Sequence, residues 1–230
     1  NGSSHKIDNS FAIKKYSVVF DKPSNFEFMT VKYSGRISHS LSQSGGEYAR
    51  SFSETRGVVG EDGVYLAGSS FWVPVFGDEM VTYRITVNQP NSWQLISQGD
   101  REILHGGTKV KWQVSQPQDE IYLVGGPLIE YRRQHGKTAL YAFLRTPDDT
   151  LANRYLDVTG QYIDMYQKLL GPYPYGKFAL VENFWQTGYG MPSFTLLGSK
   201  VIRFPFILHS SYPHEILHNW WGNSVFVDYE

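Results

Sequence analysis

Cysteine is absent from the 230 residues. That excludes a disulfide framework and a thiolate metal site, and it selects no cellular compartment. A surplus of either charge is absent too. Lys plus Arg number 21 and Asp plus Glu 22, so the balance does not mark a binder of nucleic acid or of a membrane surface. No apolar run reaches the ~18 residues of a membrane-crossing helix. Internal repeats, low-complexity tracts, a Ser-His-Asp set and a phosphate loop are also lacking. The opening Asn1-Gly2-Ser3-Ser4 has no Met and no charged-then-apolar leader, and it reads as the start of an excerpt.

What the chain does have is apolar material. Hydrophobic residues make up 41% and aromatics 16%, enough to bury a core and to exclude general disorder. Up to about Val124 the texture is of short strands between turns. Candidates are Tyr16–Phe20, Phe28–Tyr33, Val64–Ala67, Phe71–Phe76, Val81–Val87, Trp93–Ser97, Val110–Val114 and Ile121–Val124. Turn residues such as Glu61-Asp62-Gly63 and Gly106-Gly107 separate them. This spacing predicts an antiparallel, sandwich-like β domain over 1–120. Pro74 marks an edge strand or bulge, and the Ser/Gly-rich stretch Ser38–Thr55 reads as a long loop.

Over 121–230 the texture changes, and the fold class becomes α+β. Strands are expected at Leu128–Arg133 and Thr138–Leu144, joined by a Gly136 turn. A helix then begins at Asp148-Asp149-Thr150, whose side chains suit a helix N-terminus, and stops at Gly171-Pro172. Its apolar stripe is Tyr155, Val158, Tyr162, Met165, Tyr166 and Leu169, read as core packing. Strands at Phe178–Glu182, Phe194–Leu197 and Val201–Ile207 follow. A second helix is capped by Ser210 or Ser211, carries Pro213 in its first turn and ends near Gly222.

The second helix carries the chemistry. It reads His214-Glu215-Ile216-Leu217-His218. Residues four apart lie ~40° from the same helix face. Both imidazoles can therefore reach one zinc ion, with Glu215 placed to act as a base between them. Two histidines that merely pack are the bland alternative. Zinc needs a third protein ligand. The metzincin pattern would place Gly and His where this chain has Trp221 and Ser224, so that class is excluded. Asp228 and Glu230 come too soon to lie on a neighbouring helix. The third ligand is therefore expected beyond Glu230, with the remainder of the catalytic domain outside this chain.

The run His214-Glu215-Ile216-Leu217-His218-Asn219-Trp220-Trp221-Gly222-Asn223 resembles the zinc-helix signature of the aminopeptidase N-like gluzincins, His-Glu-x-x-His-x-Trp-x-Gly-Asn. Gly171-Pro172-Tyr173-Pro174-Tyr175-Gly176-Lys177-Phe178 resembles the segment after that family's first catalytic-domain helix. The likeness runs from about Ile121 to Asp228. It implies the first part of a thermolysin-like catalytic domain acting on a peptide substrate. His214 and His218 would be zinc ligands and Glu215 the general base. The family's third ligand is a Glu about nineteen residues after the second His.

One departure stands out. The family carries Gly-x-Met-Glu-Asn on the strand facing the zinc, and its Glu holds the substrate's free amino group. Here the matching run is Tyr189-Gly190-Met191-Pro192-Ser193, with Pro192 in the Glu position. Glu182 is either a substitute anchor or a strand-end residue. Gly188, Gly190 and Met191 present backbone groups to an extended substrate, or the glycines merely permit a bend. His209 reads as a turn residue, and Trp220 and Trp221 as core or pocket wall. Asn219 and Asn223 orient the helix end or a ligand.

Together these features lead to a zinc metallopeptidase, aminopeptidase-like but without its amine anchor, in a fragment that holds zinc weakly and is inert. Two alternatives stay open: a non-catalytic binding module on a peptidase-like scaffold, and an endopeptidase or dipeptide-releasing variant. Uncovered apolar faces would make the fragment self-associate or disorder near its C-terminus.

Overall fold

The computed structural model describes residues 30–43, 52–75 and 79–225. By internal contacts the chain divides into a unit up to Gly35 and a unit from Arg36 onward. Residues 30–35, the described part of the first, hold no regular element. The rest of this account concerns the second, whose class is α+β as the sequence led one to expect.

The first half is β throughout. Its strands are β1 (Ser42–Gln43), β2 (Ser53–Glu54), β3 (Gly57–Gly60), β4 (Gly63–Leu66), β5 (Val81–Asn88), β6 (Gln94–Ile96), β7 (Asp100–Leu104), β8 (Lys109–Gln118) and β9 (Leu123–Gly126). They pair in small sheets, all antiparallel: β1 with β2, β3-β4-β9-β6, and β5-β8-β7. The residue-120 division falls in the link between β8 and β9.

The second half builds one mixed sheet with helices on one face. In chain order come β10 (Ile129–His135), β11 (Thr138–Leu144), α1 (Asp149–Leu170), β12 (Lys177–Asn183), β13 (Gly188–Met191), β14 (Phe194–Gly198) and α2 (Ser211–Leu217). The sheet order is β10-β11-β12-β14-β13. The three inner strands run parallel, and β10 and β13 are antiparallel edges. Parallel strands covered on both faces read as unbroken apolar runs, which is why Lys177–Asn183 is buried at every position. Period two then divides the side chains. Leu140, Ala142, Leu144, Phe178 and Leu180 join α1 and α2 in one core. Tyr141, Phe143, Ala179 and Val181 join Val64, Ile96, Trp112 and Val124 of the β half in the other.

The first helix starts as its sequence dictates. The Asp148 carboxylate accepts the Leu151 N–H at 2.9 Å, and Asp149 sits in the first turn. Gly171 closes it with φ 102°, in the left-handed region. Its buried face differs from the expected stripe. Ala152, Tyr155, Leu156, Thr159, Gly160 and Ile163 are buried, while Met165 and Leu169 are exposed. At Gly160 the helix passes close to β10: a methyl there would come within 2.9 Å of the His135 ring.

Three expected strands are not formed. Val201–Ile207 folds as two 3₁₀ turns, Val201–Arg203 and Pro205–His209, because Pro205 lacks a ladder N–H and Arg203 turns back to Glu182 and Ser199. Phe71 takes φ 52° after a 3₁₀ turn at Gly68–Ser70, and residues 71–75 make no strand. Residues 30–33 make none, and 28–29 lie outside the described residues, as does Tyr16–Phe20. Within Ser38–Thr55, the two-residue strands β1 and β2 pair.

Candidate metal centre

The helix α2 is short, and its register is fixed from below. Tyr212 and Ile216 are fully buried against the helical core, and Trp220 just beyond the helix joins them. Trp220 rests on the rings of Tyr166 and Tyr173 and donates its indole N–H to Gly171 O at 3.2 Å. Pro213 is the third helical residue, where a missing N–H costs nothing. Ser210 stands at the N-cap position without capping. Its hydroxyl donates to Phe206 O instead, at 2.8 Å. With the apolar face pinned down, His214, Glu215 and His218 turn outward.

The two imidazoles converge. Their Nε2 atoms are 3.0 Å apart, with the rings edge to face. Two nitrogens at ~2.0–2.1 Å from one tetrahedral zinc would be ~3.3 Å apart, so the pair fits a shared ion with little movement. The His218 tautomer follows from its other nitrogen. Nδ1 faces Trp221 O at 3.2 Å, and a carbonyl only accepts, so Nδ1 carries the proton and Nε2 offers its lone pair. Among the described residues no group of three or more His, Asp or Glu side chains gathers to hold a metal. Among the described residues the donors brought together are the two imidazoles.

Glu215 lies between the rings and the edge strand. Burial pushes its carboxyl above the usual range, while the neighbouring His218 and then His214 act against that rise. Its Oε2 faces the α-carbon of Gly190, which also lies beside the His218 ring. Gly188, two residues earlier on the same face, borders Leu197 and the Phe52 ring. Met191 is buried. The strand β13 is the sheet edge on this side, so its outer backbone groups are not taken up by a neighbouring strand among the described residues.

Pro192 has a local structural reason. Met191 and Phe194 are paired residues, so Pro192 and Ser193 form the two-residue turn between β13 and β14. Pro at the first position and φ 67° at Ser193 are the features of a type II turn. Glu182, read as a substitute anchor or a strand-end residue, is engaged within the fold. Its Oε1 accepts from Arg203 at 2.7 Å and its Oε2 from the Arg145 backbone N–H at 2.8 Å, and its side chain is 2% exposed. His209 lies in the turn ahead of the helix, as read from sequence. Trp221 is exposed, unlike Trp220.

Of the two asparagines after the motif, Asn219 orients the helix end through its side chain, and Asn223 bonds through its backbone. Asn219 Oδ1 accepts from the Ser193 N–H at 2.7 Å and the Tyr173 hydroxyl at 3.2 Å, and its Nδ2 donates to Ile216 O. Asn223 donates its N–H to His218 O, and its carbonyl accepts the Tyr175 hydroxyl. Lys177 and Ser193 meet beneath this turn, and neither was singled out from sequence. Only the oddity of a Lys opening an apolar strand hinted at it.

No protein-family model matches the chain, and no curated protein matches it. Among solved structures the chain is similar to native yeast LTA4 hydrolase. Identity is 16% and the TM-score 0.52, over 70% of this chain and 27% of that one. At that identity the likeness is one of fold alone, and this chain spans about a quarter of the neighbour.

Proposed function

We propose that the chain carries the zinc-binding portion of a metallopeptidase of the aminopeptidase N-like type. The observation that supports it best is the 3.0 Å approach of His214 Nε2 and His218 Nε2, with the Glu215 carboxylate beside them. The likeness of fold to LTA4 hydrolase adds weight. The two imidazoles would hold zinc, and the chemistry that a zinc ion supplies is polarisation of the scissile carbonyl and acidification of water. The carboxylate of Glu215 takes a proton from the attacking water and passes it to the departing amine. His218 keeps its lone pair outward because Trp221 O holds the Nδ1 proton. The open edge of β13, with Gly188 and Gly190 in one phase of the ladder and Met191 in the other, gives an extended peptide backbone partners at alternate residues.

An endopeptidase or dipeptide-releasing activity is favoured over removal of single N-terminal residues. Pro192 is a turn residue, and Glu182 is engaged by Arg203 and the Arg145 N–H, so neither offers a carboxylate to a free amine. A non-catalytic module with the same scaffold is the remaining reading.

Zinc titration of the chain tests the centre. Binding weaker than that of a complete three-ligand site is expected, lost in His214→Ala and His218→Ala and kept in Glu215→Gln. No binding by the wild-type chain at millimolar zinc overturns the metal centre. Peptide assays of the complete protein, with free and blocked N-termini, test the specificity. Turnover confined to free N-termini would overturn the endopeptidase preference. Tight stoichiometric zinc with turnover in this chain would refute the need for a third ligand outside the described residues.

A further inference from the structure

We propose that Lys177, Ser193 and Asn219 form a buried fastener that sets the gap between β13 and α2, and so act as positioning residues for Glu215 and His218. This rests on the metal-centre reading only for its functional consequence; the fastener itself is read from contacts.

Three separate pieces of chain converge on Ser193, which is completely buried. Gly99, from the β half, donates its N–H to Ser193 Oγ at 3.2 Å. Lys177, at the start of β12, donates from Nζ to the same oxygen at 2.7 Å and to Ser193 O at 3.2 Å. The Ala179 N–H also reaches Ser193 O, at 3.1 Å. Ser193 in turn donates its own N–H to Asn219 Oδ1 at 2.7 Å. Asn219 follows His218 directly, and Ser193 is three residues from Gly190. The strand that abuts the Glu215 carboxylate and the peptide after His218 are thereby tied to one point.

Core stability alone explains neither the serine nor the lysine. Serine with φ 67° is strained where glycine would not be, so its place here depends on the hydroxyl. Lysine is a costly choice for a site 3% exposed. Its ammonium lies over the rings of Trp112 and Phe194, at 5.0 and 5.4 Å, and its hydrogen bonds go to Ser193. Burial holds its pKa well below the ordinary value, nearby Arg101 lowers it further and Asp100 opposes. An apolar side chain would fill the same space without that penalty, but it would release the turn.

Lys177→Met separates the two roles. Zinc affinity by chelator competition, the thermal midpoint of the metal-free chain and hydrogen exchange at residue 193 are measured together. The expected result is a midpoint unchanged or raised, zinc affinity weakened about tenfold, and faster exchange of the Ser193 amide. Wild-type affinity and wild-type protection with only the midpoint altered would overturn the proposal. Should Lys177→Met not fold, Ser193→Gly keeps the turn and removes the hydroxyl, and it carries the same two criteria. If the wild-type chain binds no zinc, the metal reading fails separately. Exchange at residues 190 and 193 then decides the fastener: faster exchange in the variants supports it, and unchanged exchange overturns it.

Discussion

Gly190 lies so close to Glu215 that a methyl group on its α-carbon would overlap the Oε2 atom and come within 3.1 Å of His218 Cδ2. The strand and the helix are in contact through a residue with no side chain, and the carboxylate occupies the space. Gly190→Ala should therefore push Glu215 aside or lift β13 from α2. The carboxylate is the free end of a flexible side chain and can swing away, so the stability cost should be at most about 1 kcal/mol, below that of overpacking a rigid core. Zinc affinity should fall with it, because His218 shares the contact. Gly188→Ala is the control on the same face. Its methyl would meet Leu197 and Phe52 at 3.8 and 4.0 Å, ordinary contact, so stability and metal binding should stay near wild type. Equal effects of the two substitutions in urea melts and zinc titrations would refute this account of Gly190.

Glu182 is bound up in structure rather than offered to a ligand. Glu182→Ala removes the partner of Arg203 and orphans the partly buried Arg145 N–H. The guanidinium is 40% exposed and can turn to water, so the loss should be about 2 kcal/mol rather than that of a fully buried pair. Zinc affinity should not change. A denaturant midpoint at the wild-type value, or a selective loss of binding to peptides with free amines, would show Glu182 to be a recognition residue.

The sequence made some of this legible, for reasons visible in particular residues. The α1 boundaries were readable because Asp148 caps and Gly171 stops, both local effects. The pair His214 and His218 was readable because helical spacing alone brings them together. Val201–Ile207 looked like a strand because it is a short, mainly apolar run with β-branched and aromatic residues. Its 3₁₀ turns come from Pro205 and from the long-range pull of Glu182 on Arg203, which no local pattern records. The strand β7 escaped notice because Asp100, Arg101 and Glu102 carry little strand propensity, and its place is set by β8. The Ser193 cluster joins positions up to 94 residues apart, and a linear pattern cannot show it.

The helix that carries the centre depends on Ile216. It is fully buried among the residues that α2 shares with the sheet and α1. Ile216→Ala should cost about 2–5 kcal/mol by leaving a cavity. Because His214 and His218 flank it, metal affinity should drop in proportion to the population in which α2 is loosened. Stability lost with unchanged zinc affinity would mean that the histidines hold their geometry without the helix beneath them.

Lys177 gives a pH dependence whose sign can be worked out. In the folded chain burial lowers its pKa well below the ordinary 10.5, with Arg101 reinforcing the effect and Asp100 opposing it. Between the lowered folded value and 10.5 the unfolded chain holds more protons at this site than the folded one. Unfolding free energy therefore rises with pH across that window, by at most about 1.4 kcal/mol per pH unit. Below the folded value both states are protonated and the full penalty of burying the charge applies. Above 10.5 both are neutral and the penalty is gone. Lys177→Met lacks the group, so the difference between wild type and variant isolates it from every other titration. Urea unfolding at pH 7, 8, 9 and 10 should show wild type gaining on the variant as pH rises. A difference that is flat, or that moves the other way, would mean that Lys177 keeps its proton in the folded chain and that its hydrogen bonds to Ser193 are those of a stabilised ammonium.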